Sequence, residues 1–111
     1  MAYDVQLADR MREALVGVPG VTEKKMFGGL AFLVAGHMAI AASGQGDALV
    51  RADPAEADQL IDSTSAEVAV MQGRPMTGWL RVPAADLETS ENVELWVAVA
   101  TSYVRTLPPK S

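Results

Sequence analysis

The chain has 111 residues, of which half are hydrophobic and 21% are charged, with a formal net charge of −5 and no cysteine. This length fits one domain spanning residues 1–111, and the composition is that of a globular protein rather than a disordered one. The missing cysteines exclude disulfides, thiolate metal sites and a cysteine nucleophile, and the acidic balance disfavours direct binding to nucleic-acid phosphates.

The start of the chain, Met1 to Asp4, lacks the basic and apolar segments of a signal peptide. The most apolar run, residues 30–35, is too short to cross a bilayer. We therefore expect a cytoplasmic protein that folds without a metal, a cofactor or a disulfide.

The first element predicted in chain order is a helix over residues 4–16. Leu7, Met11 and Leu15 recur at helical spacing on one face, Asp4 can cap the amino end, and Gly17 follows the last turn. Four short strands separated by glycine-containing turns follow, at residues 22–27, 30–34, 38–42 and 48–52. Connections this short require antiparallel neighbours, so these strands are predicted to form a meander.

A second helix is predicted over residues 53–62, because Asp53 and Pro54 form a typical helix start. Two further strands at 67–71 and 78–82 precede a last helix over 90–107. The order is therefore α-ββββ-α-ββ-α, which predicts a two-layer α+β domain with helices on an antiparallel sheet.

No catalytic pattern emerges from the sequence. His37, the only histidine, falls in a predicted hairpin turn and is interpreted as an exposed turn residue rather than a base or ligand. No serine lies in a Gly-x-Ser-x-Gly elbow, and no glycine motif forms a phosphate loop. We expect neither an enzyme nor a metal site.

Basic residues are concentrated in the predicted strands and their turns, whereas the second helix and the start of the last one are acidic. These basic residues are Lys24, Lys25, Arg51, Arg74 and Arg81. They are either a functional basic face or the ordinary polar residues of an exposed sheet surface. Alternation in the sixth strand places Leu80 and Val82 towards the helices and Trp79 with Arg81 away from them. Trp79 is then an interface residue, unless a bulge returns it to the core.

The run Leu30 to Val34 is apolar on both of its faces. Helices cover only one face of a two-layer domain, so the other face needs loops, the rest of the chain or a second subunit. A weak homodimer through the uncovered side of the sheet is one solution.

Several segments resemble the TfoX/Sxy amino-terminal domain family, namely Ala2-Tyr3-Asp4, the stretch over 20–32 containing Met26-Phe27-Gly28-Gly29, Gly73-Arg74-Pro75-Met76 with Gly78-Trp79, and Leu107-Pro108-Pro109-Lys110. The resemblance covers essentially the whole chain in order. It implies a fold akin to secretion-chaperone-like domains and a role in regulating natural competence. Full-length members carry a helical second domain and are thought to act with the cyclic-AMP receptor protein. We expect a stand-alone domain, because the sequence ends at Ser111, and the family supplies no catalytic residues.

These observations predict a non-catalytic regulatory module that binds another protein. The family resemblance links this module to competence or transcription regulation. The candidate partner-binding residues are Lys24, Lys25, Met26, Phe27, Arg74, Trp79 and Arg81. The alternative is a small-ligand binder with a pocket between Met26, Phe27, Trp79 and the last helix.

The isolated chain is expected not to bind duplex DNA specifically, because its net charge is negative and its helices are acidic. A mobility-shift assay at physiological salt should show no discrete complex. A sequence-dependent shift at submicromolar protein would contradict this and direct attention to the strand-borne lysines and arginines.

Overall fold

Six strands form one antiparallel sheet, and three α-helices pack on one side of it, in a computed structural model that describes residues 3–26, 28–71 and 73–108. The helices are α1 (Val5–Ala14), α2 (Pro54–Ser63) and α3 (Ser90–Val104). The strands are β1 (Val21–Met26), β2 (Gly29–Val34), β3 (His37–Ala42), β4 (Ala48–Arg51), β5 (Glu67–Met71) and β6 (Arg74–Val82). The predicted α+β class and element order are confirmed.

The strands lie in the order β1-β2-β3-β4-β6-β5. The first four follow the predicted meander, and β6 then pairs with β4 while β5 becomes the outer edge. Two boundaries differ from the prediction by three residues or more, and the others by one or two. Strand β6 begins at Arg74 rather than at residue 78, and α3 ends at Val104 rather than at residue 107. A short 3-10 helix at Ala84–Leu87 was not predicted.

The helix starts follow from local capping chemistry. The Asp4 carboxylate accepts hydrogen bonds from the backbone N–H groups of Gln6 and Leu7, at 2.9 and 3.3 Å. Asp53 accepts from the backbone of Ala55 at 2.9 Å, with Pro54 in the first turn. Each cap satisfies backbone donors that have no partner within the helix. The predicted helix starts at Asp4 and Asp53 are therefore correct.

The core lies between the sheet and the helices. One cross-strand row places Phe32, Ile40, Val50 and Leu80 side by side, and all four are fully buried. They pack in one cluster with apolar residues of the helices, which are Leu7, Met11, Leu15, Val93, Trp96, Ala100 and Val104. Burying each large side chain contributes roughly 1.5–3 kcal/mol. Alternation correctly placed Leu80 and Val82 towards the helices.

Strand β2 divides its apolar run between the two sides of the sheet. Leu30, Phe32 and Val34 belong to the core cluster, so Ala31 and Leu33 point away from the helices. The larger set therefore faces the helices, and Leu33 is the one large apolar side chain that β2 presents to the other side.

No helix within the described residues is long and apolar enough to span a membrane.

Two glycines permit close approaches that a side chain would block. A Cβ at Gly29 would collide with the backbone carbonyl of Ala42 on the neighbouring strand. Gly78 has a positive φ of 87°, and a Cβ there would press on Pro54 at the start of α2. Gly78 also accepts a hydrogen bond from the backbone N–H of Ala52 at 2.7 Å. The bend at Gly78 thus holds β6 against the β4–α2 connection.

Adjacent residues of β2 offer a matched test of this two-sided arrangement. Phe32→Ala should lower the free energy of unfolding by about 3–5 kcal/mol, because it empties a fully buried site. Leu33→Ala removes a half-buried side chain on the other side and should cost about 1 kcal/mol. Urea unfolding at low micromolar protein measures both. Equal losses would show that the two sides of the sheet are equally covered and would contradict this packing.

Candidate functional site

The side of the sheet away from the helices, called here the open face, carries one continuous row with a residue from every strand. In sheet order the row reads Lys24, Ala31, Ala41, Leu49, Arg81 and Glu67. Ala31 and Ala41 are buried although they are not part of the core cluster, and Leu49 is half-buried. The open face therefore has short apolar side chains at its centre and opposite charges at its two edges.

The candidate basic residues do not form one patch. Lys24 lies in the open-face row, whereas Lys25 pairs with Leu30 and so lies on the helix side of the same edge strand. Lys24 and Arg81 share the row, but three strands separate β1 from β6. Four inter-strand spacings put their backbones about 19 Å apart. Arg74 is exposed at the start of β6, opposite Met71 of the outer edge strand.

The predicted pocket between Met26, Phe27, Trp79 and α3 is not assembled by this topology. Met26 ends β1 and Trp79 lies in β6, with β2, β3 and β4 between them. Phe27 lies outside the described residues. The strands carrying Met26 and Trp79 are thus too far apart to line one small-ligand site.

An ion pair on the helix side joins the edge strand to α1. The Arg12 guanidinium donates two hydrogen bonds to the Glu23 carboxylate, at 2.7 and 2.8 Å, and one to Asp9 at 2.6 Å. The hydrogen bonds from Arg12 hold the pKa of Glu23 below its ordinary value. The same guanidinium lies 5.9 Å from the centre of the Phe32 ring. Arg12 therefore fixes α1 over β1 and β2, a contact that the sequence pattern did not indicate.

Arg81 is neutralised within its own chain. Its guanidinium donates to the Asp47 carboxylate at 2.8 Å and to the Gln45 side chain at 3.3 Å. Asp47 is mostly covered, and both partners belong to the loop between β3 and β4. The predicted outward direction of Arg81 is correct, but its charge is balanced by Asp47 of this loop.

Trp79 is half-buried and is contacted by a cation. The Arg51 guanidinium lies 5.2 Å from the centre of the Trp79 ring and 5.4 Å from that of Tyr103 in α3. A guanidinium near two aromatic faces contributes about 0.5–2 kcal/mol per contact. Arg51 thus connects β4, β6 and α3. Trp79 is neither a free surface residue nor a core one, which lies between the two interpretations given by the sequence.

His37 is half-buried at the first position of β3 rather than exposed in the preceding turn. Its Nε2 donates a hydrogen bond to the carbonyl oxygen of Pro108 at 2.6 Å. The expectation of an exposed turn histidine is therefore wrong. His37 connects the strand to the segment after α3. The two residues are 71 positions apart, so a local sequence pattern did not predict this contact.

A groove runs between α2 and α3 on the outer side of the helix layer. It is lined by apolar side chains, which are Leu60, Leu95, Ala98 and Val99, and by polar ones, which are Glu56, Gln59, Ser63 and Ser102. The volume of this part is about 420 Å³. It continues past Ser63 and Leu95 into a second part of about 250 Å³, which reaches Asp86, Asn92 and Trp96. Leu95 lies in both parts and is 58% exposed.

The lining of the α2–α3 groove contains two carboxylates and no basic residue. Neither helix contains a lysine or an arginine, and the carboxylates of α2, the 3-10 helix and the start of α3 are Glu56, Asp58, Asp62, Asp86, Glu91 and Glu94. Glu56 lies in one part of the groove and Asp86 in the other. Among the described residues, no group of three or more histidines and carboxylates is placed to hold a metal ion.

In a comparison with known families, residues 13–103 match the TfoX N-terminal domain. The comparisons with curated proteins and with solved structures gave no match. The matched segment runs from the end of α1 to the last turn of α3 and includes all six strands. The chain belongs to the TfoX N-terminal domain family.

Proposed function

We propose that this domain is a non-catalytic regulatory module that binds a protein partner, and that the α2–α3 groove receives a basic amphipathic helix of that partner. The observation that carries the proposal is Leu95. A leucine that is 58% exposed lines an open groove where both parts of the groove meet, and Leu60, Ala98 and Val99 line the same groove. A contiguous apolar patch rimmed by polar residues is typical of protein interaction sites.

The dimensions of the groove suit a helix of about three turns. Along α3 it extends from Asn92 to Ser102, which corresponds to about 15 Å at the rise of an α-helix. Helices that bind in grooves place apolar residues at spacings of three, four and seven against the apolar side chains of the groove. Leu60, Leu95 and Val99 are the side chains that they would contact here.

The charge of the groove favours a basic occupant. Glu56 lies in one part of the groove and Asp86 in the other, and no lysine or arginine lines either part. Complementary charges raise the association rate and exclude partners of the wrong sign. An acidic helix would be repelled along the whole groove. A partner helix with lysines or arginines on its polar face would pair with the rim while its apolar face covered Leu95.

The absence of catalysis is part of the same proposal. The groove is lined by Ser63 and Ser102, yet no histidine lies with them, since the chain's only histidine donates to Pro108. A serine without a neighbouring base is a weak nucleophile. Nothing else in the groove lining offers a paired acid and base.

The regulatory part of the proposal rests on the family. Competence regulation in concert with a transcription factor is the role that the resemblance implies, and we extend it to this chain as a proposal. Binding through Lys24, Lys25, Arg74, Trp79 and Arg81 stays a separate prediction. The basic residues of the sheet would select an acidic partner and the groove a basic one. One experiment can therefore distinguish the two binding sites.

Site-specific photo-crosslinking in cells tests the groove. A photoreactive phenylalanine at position 95 should give a discrete adduct with a second protein, and mass spectrometry should place the link in a basic amphipathic helix. Val16, which is 79% exposed after α1, is the matched control position. Adding Glu56→Lys should reduce the adduct several-fold because it reverses the charge at one end of the groove.

A captured transcription regulator is the result that the competence link predicts. An identical adduct pattern from positions 16 and 95 would contradict a specific groove. An adduct at an acidic segment, abolished by Arg74→Glu with Arg81→Glu rather than by Glu56→Lys, would transfer the interaction to the basic residues of the sheet.

A further inference from the structure

We propose that two copies of this chain pack open face to open face about a two-fold axis that runs parallel to the strands, between β3 and β4. The proposal uses the other side of the molecule from the α2–α3 groove and does not depend on the proposed function. A second copy is chosen as the occupant because the open-face row is complementary to itself in both charge and side-chain size.

The charge complementarity follows from the strand order. A two-fold axis parallel to the strands reverses the row, so that the β1 edge of one copy lies over the β5 edge of the other. Lys24 then faces the second copy's Glu67 at both ends of the interface. Both side chains are exposed, and neither forms an ion pair within the described part of its own chain, although Glu67 lies opposite Arg81 in the sheet. The two pairs therefore form only in the dimer.

The size complementarity follows from the same reversal. Ala41 of one copy lies opposite Leu49 of the other, and Ala31, which is already fully covered within its own chain, lies opposite Arg81. Each short side chain is thus opposite a long one, which lets two sheet surfaces interdigitate. Arg81 is already paired with Asp47, so covering it does not leave an isolated charge.

The distances agree with sheet-on-sheet packing. Facing sheets lie about 10 Å apart with their strands within about 30° of each other. The central Ala41 and Leu49 pairs lie at the axis, where twisted sheets come closest. Lys24 and Glu67 lie at the edges, where twisted sheets diverge, and both are long flexible side chains able to reach across the wider gap.

The area points to a weak dimer. Six strands of about six residues give a face of roughly 29 by 20 Å, which buries on the order of 1,200 Å² over both copies. This is the lower limit for specific interfaces. The apolar centre is also modest, since Leu33, Met38 and Leu49 are already half-buried in the single chain. The dissociation constant is therefore expected in the range of tens of micromolar.

Charge reversal at the two edges tests the geometry. Lys24→Glu alone places two glutamates opposite each other at both ends, and Glu67→Lys alone places two lysines there. Sedimentation equilibrium from 1 to 300 micromolar, at low salt, should show the wild-type dimer weakened at least tenfold in each single variant. An equimolar mixture of the two variants restores both opposite-charge pairs in a mixed dimer, and so does the double variant. Both should associate like the wild type.

Thermal melts of each variant are the folding control. Lys24→Glu should match the wild type because Lys24 is exposed on an edge strand opposite Ala31, whereas Glu67→Lys should melt slightly lower because it places a lysine opposite Arg81 of the same chain. A wild type that stays monomeric over the whole range would overturn the proposal. So would single variants that associate as well as the wild type, or a mixture that associates no better than its components. Loss of the position-95 adduct would leave these results unaffected, so the two proposals fail independently.

Discussion

The whole molecule depends on one constraint, which is that three helices cover only one side of a six-stranded sheet. Alternation along each strand divides its residues between a covered side and an uncovered one. In strand β2, Leu30, Phe32 and Val34 pack on the helix side, and Ala31 and Leu33 lie on the open face. Short side chains at Ala31 and Ala41 keep the uncovered side low in apolar area. The chain thus gains a full core without exposing a large apolar surface as a monomer.

The same constraint shapes the helix layer. Helix α1 covers the β1–β3 end, where Arg12 joins it to Glu23, while α3 lies over β3 and β4 and α2 over β6. Helices with few large residues on their facing sides leave space between them, and α2 contributes only Ala57 as a fully buried side chain. The α2–α3 groove and its exposed Leu95 follow from that sparse packing. Its acidity follows from sequence, because neither helix carries a basic residue.

Local signals in the sequence predicted the elements well because their causes are local. Asp4 and Asp53 bond to backbone groups two or three residues away, and the parity of Leu80 and Val82 needs only the period of a strand. The position of β6 beside β4 has a different origin. It depends on the packing of α2 and on the bend at Gly78 against Pro54. Neither contact can be predicted from the periodicity of apolar residues along the sequence.

The candidate site was less predictable for the same reason. The sequence shows that Lys24 and Arg81 both lie in strands, but it does not show how far apart those strands are in the sheet. Three strands separate β1 from β6, so the two residues are not in contact. Arg51 contacts Tyr103 and His37 contacts Pro108 across more than fifty residues of chain. Composition indicated the acidic helices, whereas only the packed structure shows that Glu56 and Asp86 belong to one groove.

The two proposed surfaces are compatible because the sheet separates them. A dimer formed through the open face would keep both helix layers outward, and each copy would present its α2–α3 groove to solvent. A two-fold axis would place the grooves on opposite sides of the dimer, which suits a partner that is itself two-fold symmetric or two independent partner molecules. Two linked sites raise the effective concentration of the second binding event when one partner can span both. Even a dimer as weak as the one proposed here would then strengthen the binding of such a partner, because occupation of both grooves holds the two copies together.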